Sequence, residues 1–155
     1  MKMKYVVILL SLFVFFGTAC KKKSNGAPPV VTPPAIKTDS LSAVINNSSW
    51  ITYSATSNLI PSTADSGSYN LQISGTTQLV SATSTMTIYV TNYKGPASFS
   101  LVPPAVSITY YVGSTRYYAT SGNLNITADS TSFIGNFYFT ADSINAVSGV
   151  FAIPR

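Results

Sequence analysis

The sequence has no histidine and only one cysteine, Cys20, among its 155 residues. The usual general base and imidazole metal ligand is therefore missing. Because there is no second cysteine, disulfides within the chain and multi-cysteine metal sites are excluded too. Neither a Ser-His-Asp nor a Cys-His set can be assembled, and no glycine-rich phosphate loop is present. We expect a protein that is not an enzyme and holds no metal or cofactor.

Lys94 leaves one catalytic alternative, a hydrolase in which this lysine activates a serine. The surrounding segment YKGP, at 93–96, is instead typical of an exposed turn. We keep this alternative as the weakest of the functional hypotheses.

Acidic residues are scarce, since the chain has four aspartates and no glutamate. A serine follows each of them, and three lie in the tetrapeptide TADS. A calcium loop needs several carboxylates within about a dozen residues, and each copy offers one. Asp129 and Asp142 flank a predicted strand, too far apart for a glycosidase pair. Because Asp and Ser side chains bond nearby backbone amides, we interpret the repeats as turns.

Positive charge is concentrated near the start of the chain. The net charge is +5, but six of the nine basic residues precede residue 41. From residue 41 onward, Lys94, Arg116 and Arg155 balance three aspartates, and the net charge is zero. Nucleic-acid binding needs basic residues clustered on a folded face, so we expect no nucleic-acid partner.

The first 19 residues are predicted to be a signal peptide. A short cationic start precedes an apolar run from Tyr5 to Phe16, broken only by Ser11. Twelve residues are too few for a transmembrane helix, which needs about 20, but suit the core of an export signal. The segment GTAC, ending at Cys20, resembles the lipobox of bacterial lipoproteins. That resemblance implies lipidation of Cys20 and a membrane partner; the alternative is an unmodified thiol behind an ordinary signal.

Residues 20–40 are predicted to form a tether behind the lipidated cysteine. Two proline pairs and few apolar residues favour an extended segment, which could span up to about 60 Å. Lys21, Lys22 and Lys23 would lie against anionic lipid headgroups.

Residues 41–155 are predicted to fold as a single all-β domain. Apolar and polar residues alternate with period two in about ten short segments, separated by turn-forming residues. This spacing favours an antiparallel β-sandwich or a small barrel. Gly135 interrupts one alternating segment, which suggests a bulge or a close approach. The predicted strands are 40–46, 50–56, 69–75, 85–91, 97–102, 106–112, 116–120, 122–128, 132–140 and 146–153.

Aromatic side chains are the remaining candidates for ligand contact. The run YYVGSTRYY, at 110–118, predicts a hairpin in which neighbouring tyrosines point to opposite faces. At least one tyrosine of each pair is then a core residue or a cross-strand partner. Tyr53 and Tyr138 could extend an aromatic strip. The candidate ligand contacts are Trp50, Tyr110, Tyr111, Tyr117 and Tyr118.

Two segments resemble an uncharacterised family of small Bacteroidetes lipoproteins. SAVINNSSWITYSA, at 42–55, is similar to that family's opening A-x-I-N-G-x-x-W motif, with Ser48 in place of the glycine. The run from 117 to 154 is similar to its closing block, which contains I-x-G-x-F-x-F. The resemblance implies a β-rich, membrane-anchored domain and brings no catalytic residues. Its anchors are Trp50, Gly122, Asp129, Gly135, Phe137, Phe139, Gly149 and Phe151.

These observations predict a lipid-anchored protein of the outer membrane. Surface-exported lipoproteins of that group tend to carry acidic residues after the cysteine; Lys21, Lys22 and Lys23 favour the periplasmic face. The leading hypothesis is a non-enzymatic binding or structural accessory module. The alternative is a carbohydrate- or peptide-binding lipoprotein that uses exposed tyrosines. A glycan or an envelope protein is the expected partner besides the membrane.

Overall fold

All regular structure in residues 38–155, the part of the chain that a computed structural model describes, is β-strand. The predicted signal peptide, Cys20 and most of the predicted tether lie outside these residues. Within them, no helix has the length and apolar character needed to cross a membrane. The strands are β1 (Ser40–Ile45), β2 (Ser48–Thr52), β3 (Thr56–Pro61), β4 (Tyr69–Gln78), β5 (Thr83–Tyr93), β6 (Ala97–Ser100), β7 (Val106–Val112), β8 (Thr115–Tyr118), β9 (Ser121–Ala128), β10 (Ser132–Ala141) and β11 (Ile144–Pro154).

The strands form two antiparallel sheets. The first sheet has the order β2-β1-β11-β10-β9-β6, and the second has the order β3-β4-β5-β7-β8. Neither sheet closes on itself, and their inner faces share one apolar core. The predicted all-β antiparallel class is confirmed, and of the two architectures the sandwich is correct.

Alternating side chains fill the core from both sheets. On β10, Phe133, Phe137 and Phe139 are buried together with Gly135, whereas the alternate residues Ile134, Asn136 and Tyr138 face outward. Met86, Ile88 and Val90 do the same on β5. Burying a side chain of this size stabilises the fold by roughly 1.5–3 kcal/mol, which explains why the period-two segments form strands.

The chain changes sheets where a single strand, 50–56, is predicted. β2 ends at Thr52 in the first sheet, and β3 begins at Thr56 in the second. The Thr52 hydroxyl donates a 2.7 Å hydrogen bond to the Thr76 carbonyl, which fixes the crossing. Thr52 is buried before the crossing and Ala55 is buried after it, so the burial pattern alone does not show where the chain changes sheets. The prediction of one strand here, and of none over 57–61, is wrong.

A bulge in β11 changes which residues face the core. Ser148 has a φ of 55°, and the pairing with β10 gains one residue between Gly149 and Ala146. Ala146 is therefore fully buried, while Val147 is only half-buried. Strict alternation along the predicted strand 146–153 would place Val147 on the same face as Phe151, and the extra residue reverses that alternation.

Glycine and phenylalanine face each other twice across β10 and β11. Gly135 pairs with Phe151, and Gly149 pairs with Phe137. A Cβ on Gly135 would lie 2.2 Å from the Asn125 carbonyl oxygen and 2.4 Å from the Phe151 ring. The pairing with β9 also shifts by one residue at Gly135. Both parts of the prediction for Gly135, a bulge and a close approach, are confirmed.

Candidate binding face

Trp50 and Tyr110 are core residues. Only 2% of Trp50 and 4% of Tyr110 are exposed, and their rings meet edge to face at 6.2 Å. The indole Nε1 of Trp50 donates a hydrogen bond of 2.6 Å to the Ser84 hydroxyl. These two side chains, both among the predicted ligand contacts, are closed off from solvent and do not belong to an exposed surface.

The predicted tyrosine hairpin is confirmed in β7 and β8. Val112 pairs with Thr115 across a two-residue turn, in which Gly113 has a φ of 58°. Tyr117 is half-buried and packs on Tyr110, with the ring centroids 6.3 Å apart. The neighbours of these two, Tyr111 and Tyr118, lie on the outer side of the second sheet. The hairpin therefore supplies two of its four tyrosines to that surface.

The outer side of the second sheet, which we call the hydroxyl face, is lined by three rows of polar side chains. The central row crosses all five strands, and every residue in it bears a hydroxyl group. The flanking rows add amides, hydroxyls and one guanidinium, and no row contains a carboxylate. The rows are Thr56–Ser74–Thr87–Thr109–Tyr118, Thr76–Thr85–Tyr111–Arg116 and Asn58–Gln72–Tyr89–Ser107.

Cross-strand hydrogen bonds order part of this face. The hydroxyls of Thr76 and Thr85 are 2.9 Å apart, and those of Ser74 and Thr87 are 3.3 Å apart. Each hydroxyl has one donor and two acceptor positions, so one such bond leaves capacity for another partner. The face can therefore offer hydrogen bonds of both kinds without breaking its own.

Arg116 lies over two tyrosine rings on this face. The guanidinium carbon is 4.2 Å from the centroid of the Tyr118 ring and 5.3 Å from that of Tyr111. These distances are within the range of cation–π attraction, which holds the flat guanidinium in place. The result is an aromatic and cationic patch at the β8 edge of the hydroxyl face.

Tyr89 adds an aromatic ring at the other side of the face. It lies on β5, in the row of Asn58, Gln72 and Ser107, and is half-buried. On a regular pleated sheet, its Cα and that of Tyr118 would be about 12 Å apart. The alternation along β5 places Tyr89 on the face that does not contain Met86 and Ile88. The sequence alone therefore indicated that Tyr89 faces outward. Arg116 was missed as a site residue, although it alternates with Tyr118.

Tyr53 and Tyr138 lie elsewhere. Tyr138 is 57% exposed on β10, which belongs to the first sheet. Tyr53 follows β2 and borders an open cleft of about 430 Å³ that Asp39 and Arg155 also line. The predicted tyrosines therefore do not form one continuous strip, because the two sheets present opposite outer sides.

Asp65, Asp129 and Asp142 lie in connections between strands, and Asp39 lies in a turn directly before β1, as the turn interpretation predicts. Asp39 and Asp142 have φ values of 66° and 42°, which are typical of turns. Asp65 forms a 2.7 Å ion pair with Lys94. Within residues 38–155, no three acidic or cysteine side chains come close enough together to hold a metal ion.

Asp129 does more than form a turn. Its carboxylate accepts a 3.0 Å hydrogen bond from the Tyr93 hydroxyl, and its carbonyl accepts one of the same length from Arg155. Burial, together with the bond to Asp129 and its negative charge, raises the pKa of Tyr93 well above the ordinary value. Burial also raises the pKa of Tyr110. Both phenols are thus held in their neutral form, and neither is prepared to act as a base.

No protein-family model, curated protein or solved structure matches this chain.

Proposed function

We propose that this protein is a lipid-anchored, non-enzymatic binding module of the cell envelope, and that its hydroxyl face binds a glycan. The observation that carries the proposal is the row of five hydroxyl residues, Thr56, Ser74, Thr87, Thr109 and Tyr118, flanked by Tyr89 and Tyr111. Thr109 is buried, and the other four are exposed or half-buried. No other described surface combines a hydroxyl on every strand of its sheet with three tyrosines.

The chemistry of the face fits a sugar chain. Sugars carry many hydroxyl groups, which need donors and acceptors close together, and serine, threonine and amide side chains supply both. Sugar rings also have apolar C–H faces that pack on aromatic rings. A peptide ligand would instead draw on the backbone groups of an exposed strand edge. The side chains of the hydroxyl face favour the glycan.

The membrane anchor in this proposal is the lipidated Cys20. Each buried methylene of an acyl chain contributes about 0.8 kcal/mol, so two or more chains hold a protein firmly. The basic residues Lys21, Lys22 and Lys23 would reinforce the attachment and favour the periplasmic side of the outer membrane. A tethered module of this kind would hold a glycan chain near the membrane.

The test is a binding titration with a matched pair of tyrosine variants. Full-length protein in a nonionic detergent is titrated with a panel of neutral and acidic oligosaccharides by calorimetry, because buried Trp50 would report surface binding poorly. Tyr118 and Tyr138 are 54% and 57% exposed but lie on different sheets. We expect Tyr118→Ala to weaken binding about tenfold or more and Tyr138→Ala to leave it unchanged.

Two results would overturn the proposal. One is the absence of binding by the wild-type protein to every oligosaccharide in the panel. The other is binding that is lost in Tyr138→Ala and kept in Tyr118→Ala, which would put the site on the first sheet. Thermal unfolding of both variants serves as the folding control.

A further inference from the structure

We infer that the glycan bound by the hydroxyl face carries an acidic group, and that Arg116 binds this group. The inference rests on the proposed function and goes beyond it, since it names the ligand's chemistry and the residue that selects it. Three observations carry it: the pairing of the basic side chains, the stacking of Arg116, and the absence of carboxylates around it.

Arg116 differs from the other two basic residues in the described part of the chain. Lys94 is paired with the Asp65 carboxylate at 2.7 Å, and Arg155 donates to the Asp129 carbonyl. The side chain of Arg116 forms no ion pair or hydrogen bond within residues 38–155, and it lies over the rings of Tyr111 and Tyr118. Its charge is therefore not neutralised by the fold.

The cation–π contacts order the guanidinium, whose N–H donors make no hydrogen bond within residues 38–155. The guanidinium carbon is 4.2 Å from the Tyr118 centroid. The five N–H donors form the fork that matches a carboxylate or sulfate. Since part of the side-chain entropy is already lost in the free protein, an anion would be bound at lower entropic cost.

The surroundings of Arg116 favour an anion that belongs to a sugar. Its row contains Thr76, Thr85 and Tyr111, and the next row ends at Tyr118, so every other residue of its row carries a hydroxyl. No acid lies in any of the three rows, and no second cation does either. A nucleic acid has one charge per phosphate and is bound through several basic residues. One arginine among hydroxyls fits a glycan with widely spaced acidic groups.

The test compares ligands that share a backbone and differ in charge. Full-length protein in nonionic detergent is titrated with oligogalacturonate and its methyl ester, and with dextran sulfate and dextran. We expect the acidic member of at least one pair to bind about ten- to a hundredfold more tightly at low salt. The pair that shows the preference identifies the group as carboxylate or sulfate.

Variants of Arg116 test whether this residue causes the preference for the acidic ligand. We expect Arg116→Gln to reduce the acidic-to-neutral affinity ratio to about one while binding of the neutral member remains. Arg116→Lys keeps the charge but loses the fork, and its ratio should be intermediate. The matched control is Lys94→Gln, which removes an exposed cation outside the face and should leave the ratio unchanged.

The outcomes separate the inference from the function it rests on. Equal affinity for both members of both pairs would overturn the inference of an acidic ligand. An unchanged acidic-to-neutral affinity ratio in Arg116→Gln would do the same. In both cases the glycan proposal stands. Binding of none of the four ligands would count against both. Single-stranded DNA is titrated in the same way. If it binds more tightly than either acidic glycan, the ligand of this face is a nucleic acid and the glycan proposal is wrong.

Discussion

The indole of Trp50 and the hydroxyl of Ser84 join the two sheets by a buried hydrogen bond of 2.6 Å. Trp50 lies on β2 of the first sheet, and Ser84 lies near the start of β5 in the second. The Trp50 ring also packs edge to face on Tyr110. The only tryptophan of the chain is therefore a link between the sheets, and its polar atom is satisfied in the core.

Replacing the partner hydroxyl should destabilise the fold. Ser84→Ala leaves the indole N–H buried without an acceptor, which costs about 1–3 kcal/mol of unfolding free energy. Ser81→Ala, at an exposed position in the preceding connection, should change the stability by less than about 0.5 kcal/mol. Chemical denaturation followed by Trp50 fluorescence measures both. Equal stability of the two variants would show that the hydrogen bond contributes nothing.

Gly149 should tolerate no side chain. A Cβ there would lie 2.4 Å from the Phe137 ring, and the ring is enclosed by Phe139 and Phe151. We expect Gly149→Ala to cost roughly 3 kcal/mol, because the core must move to accept it. Gly67→Ala is the control: it has a φ of 83° but open space around it, so only backbone strain of about 1–2 kcal/mol is expected. A Gly149→Ala variant as stable as Gly67→Ala would contradict this packing.

Stability should fall at alkaline pH through Tyr93 and Tyr110. Both have a raised pKa in the folded protein, so the unfolded chain loses these protons first, near the ordinary tyrosine pKa of about 10. Their contribution is therefore complete below about pH 10 and is lost as the pH rises toward the folded-state values. Each group adds at most about 1.4 kcal/mol per pH unit to the slope.

The variant Tyr93→Phe tests how much of the pH dependence of the unfolding free energy comes from Tyr93. The variant loses one titrating group, so its unfolding free energy should decline less steeply above pH 10 than that of the wild type. Unfolding at a series of pH values, with tyrosinate absorbance recorded in parallel, provides the measurement. Identical slopes for wild type and variant would rule out Tyr93 as a source of the alkaline transition.

Cys20 should carry the lipid. Cells grown with an alkyne-labelled fatty acid should incorporate the label into the wild-type protein, and Cys20→Ser should reduce incorporation to background. Lys21→Gln keeps the thiol and is the matched control, so it should remain labelled. A free Cys20 thiol in the mature wild-type protein, detected by mass spectrometry after alkylation, would disprove lipidation.

The strand segments 85–91 and 132–140 were predictable because each buries one face. The alternation of apolar and polar residues in 85–91 and 132–140 indicates that one side of the strand faces the core. The burial patterns of β5 and β10 show this alternation. The same alternation correctly predicted that Tyr110 and Tyr111 of the hairpin face opposite sides of the sheet. It failed at two places where the local geometry changes. After Thr52 the chain passes to the other sheet, and at Ser148 one extra residue reverses the facing of its neighbours.

The sequence by itself determined an all-β domain with no histidine, no disulfide and aspartates in its turns, because these properties depend on composition and on local periodicity. Only the tertiary structure decided which aromatic residues are accessible. Trp50 and Tyr110 are buried because the two sheets meet there, and Arg116 lies over Tyr118 and Tyr111 because pairing brings β7 beside β8. The hydroxyl face is likewise a product of strand register, since its central row takes one residue from each of five strands.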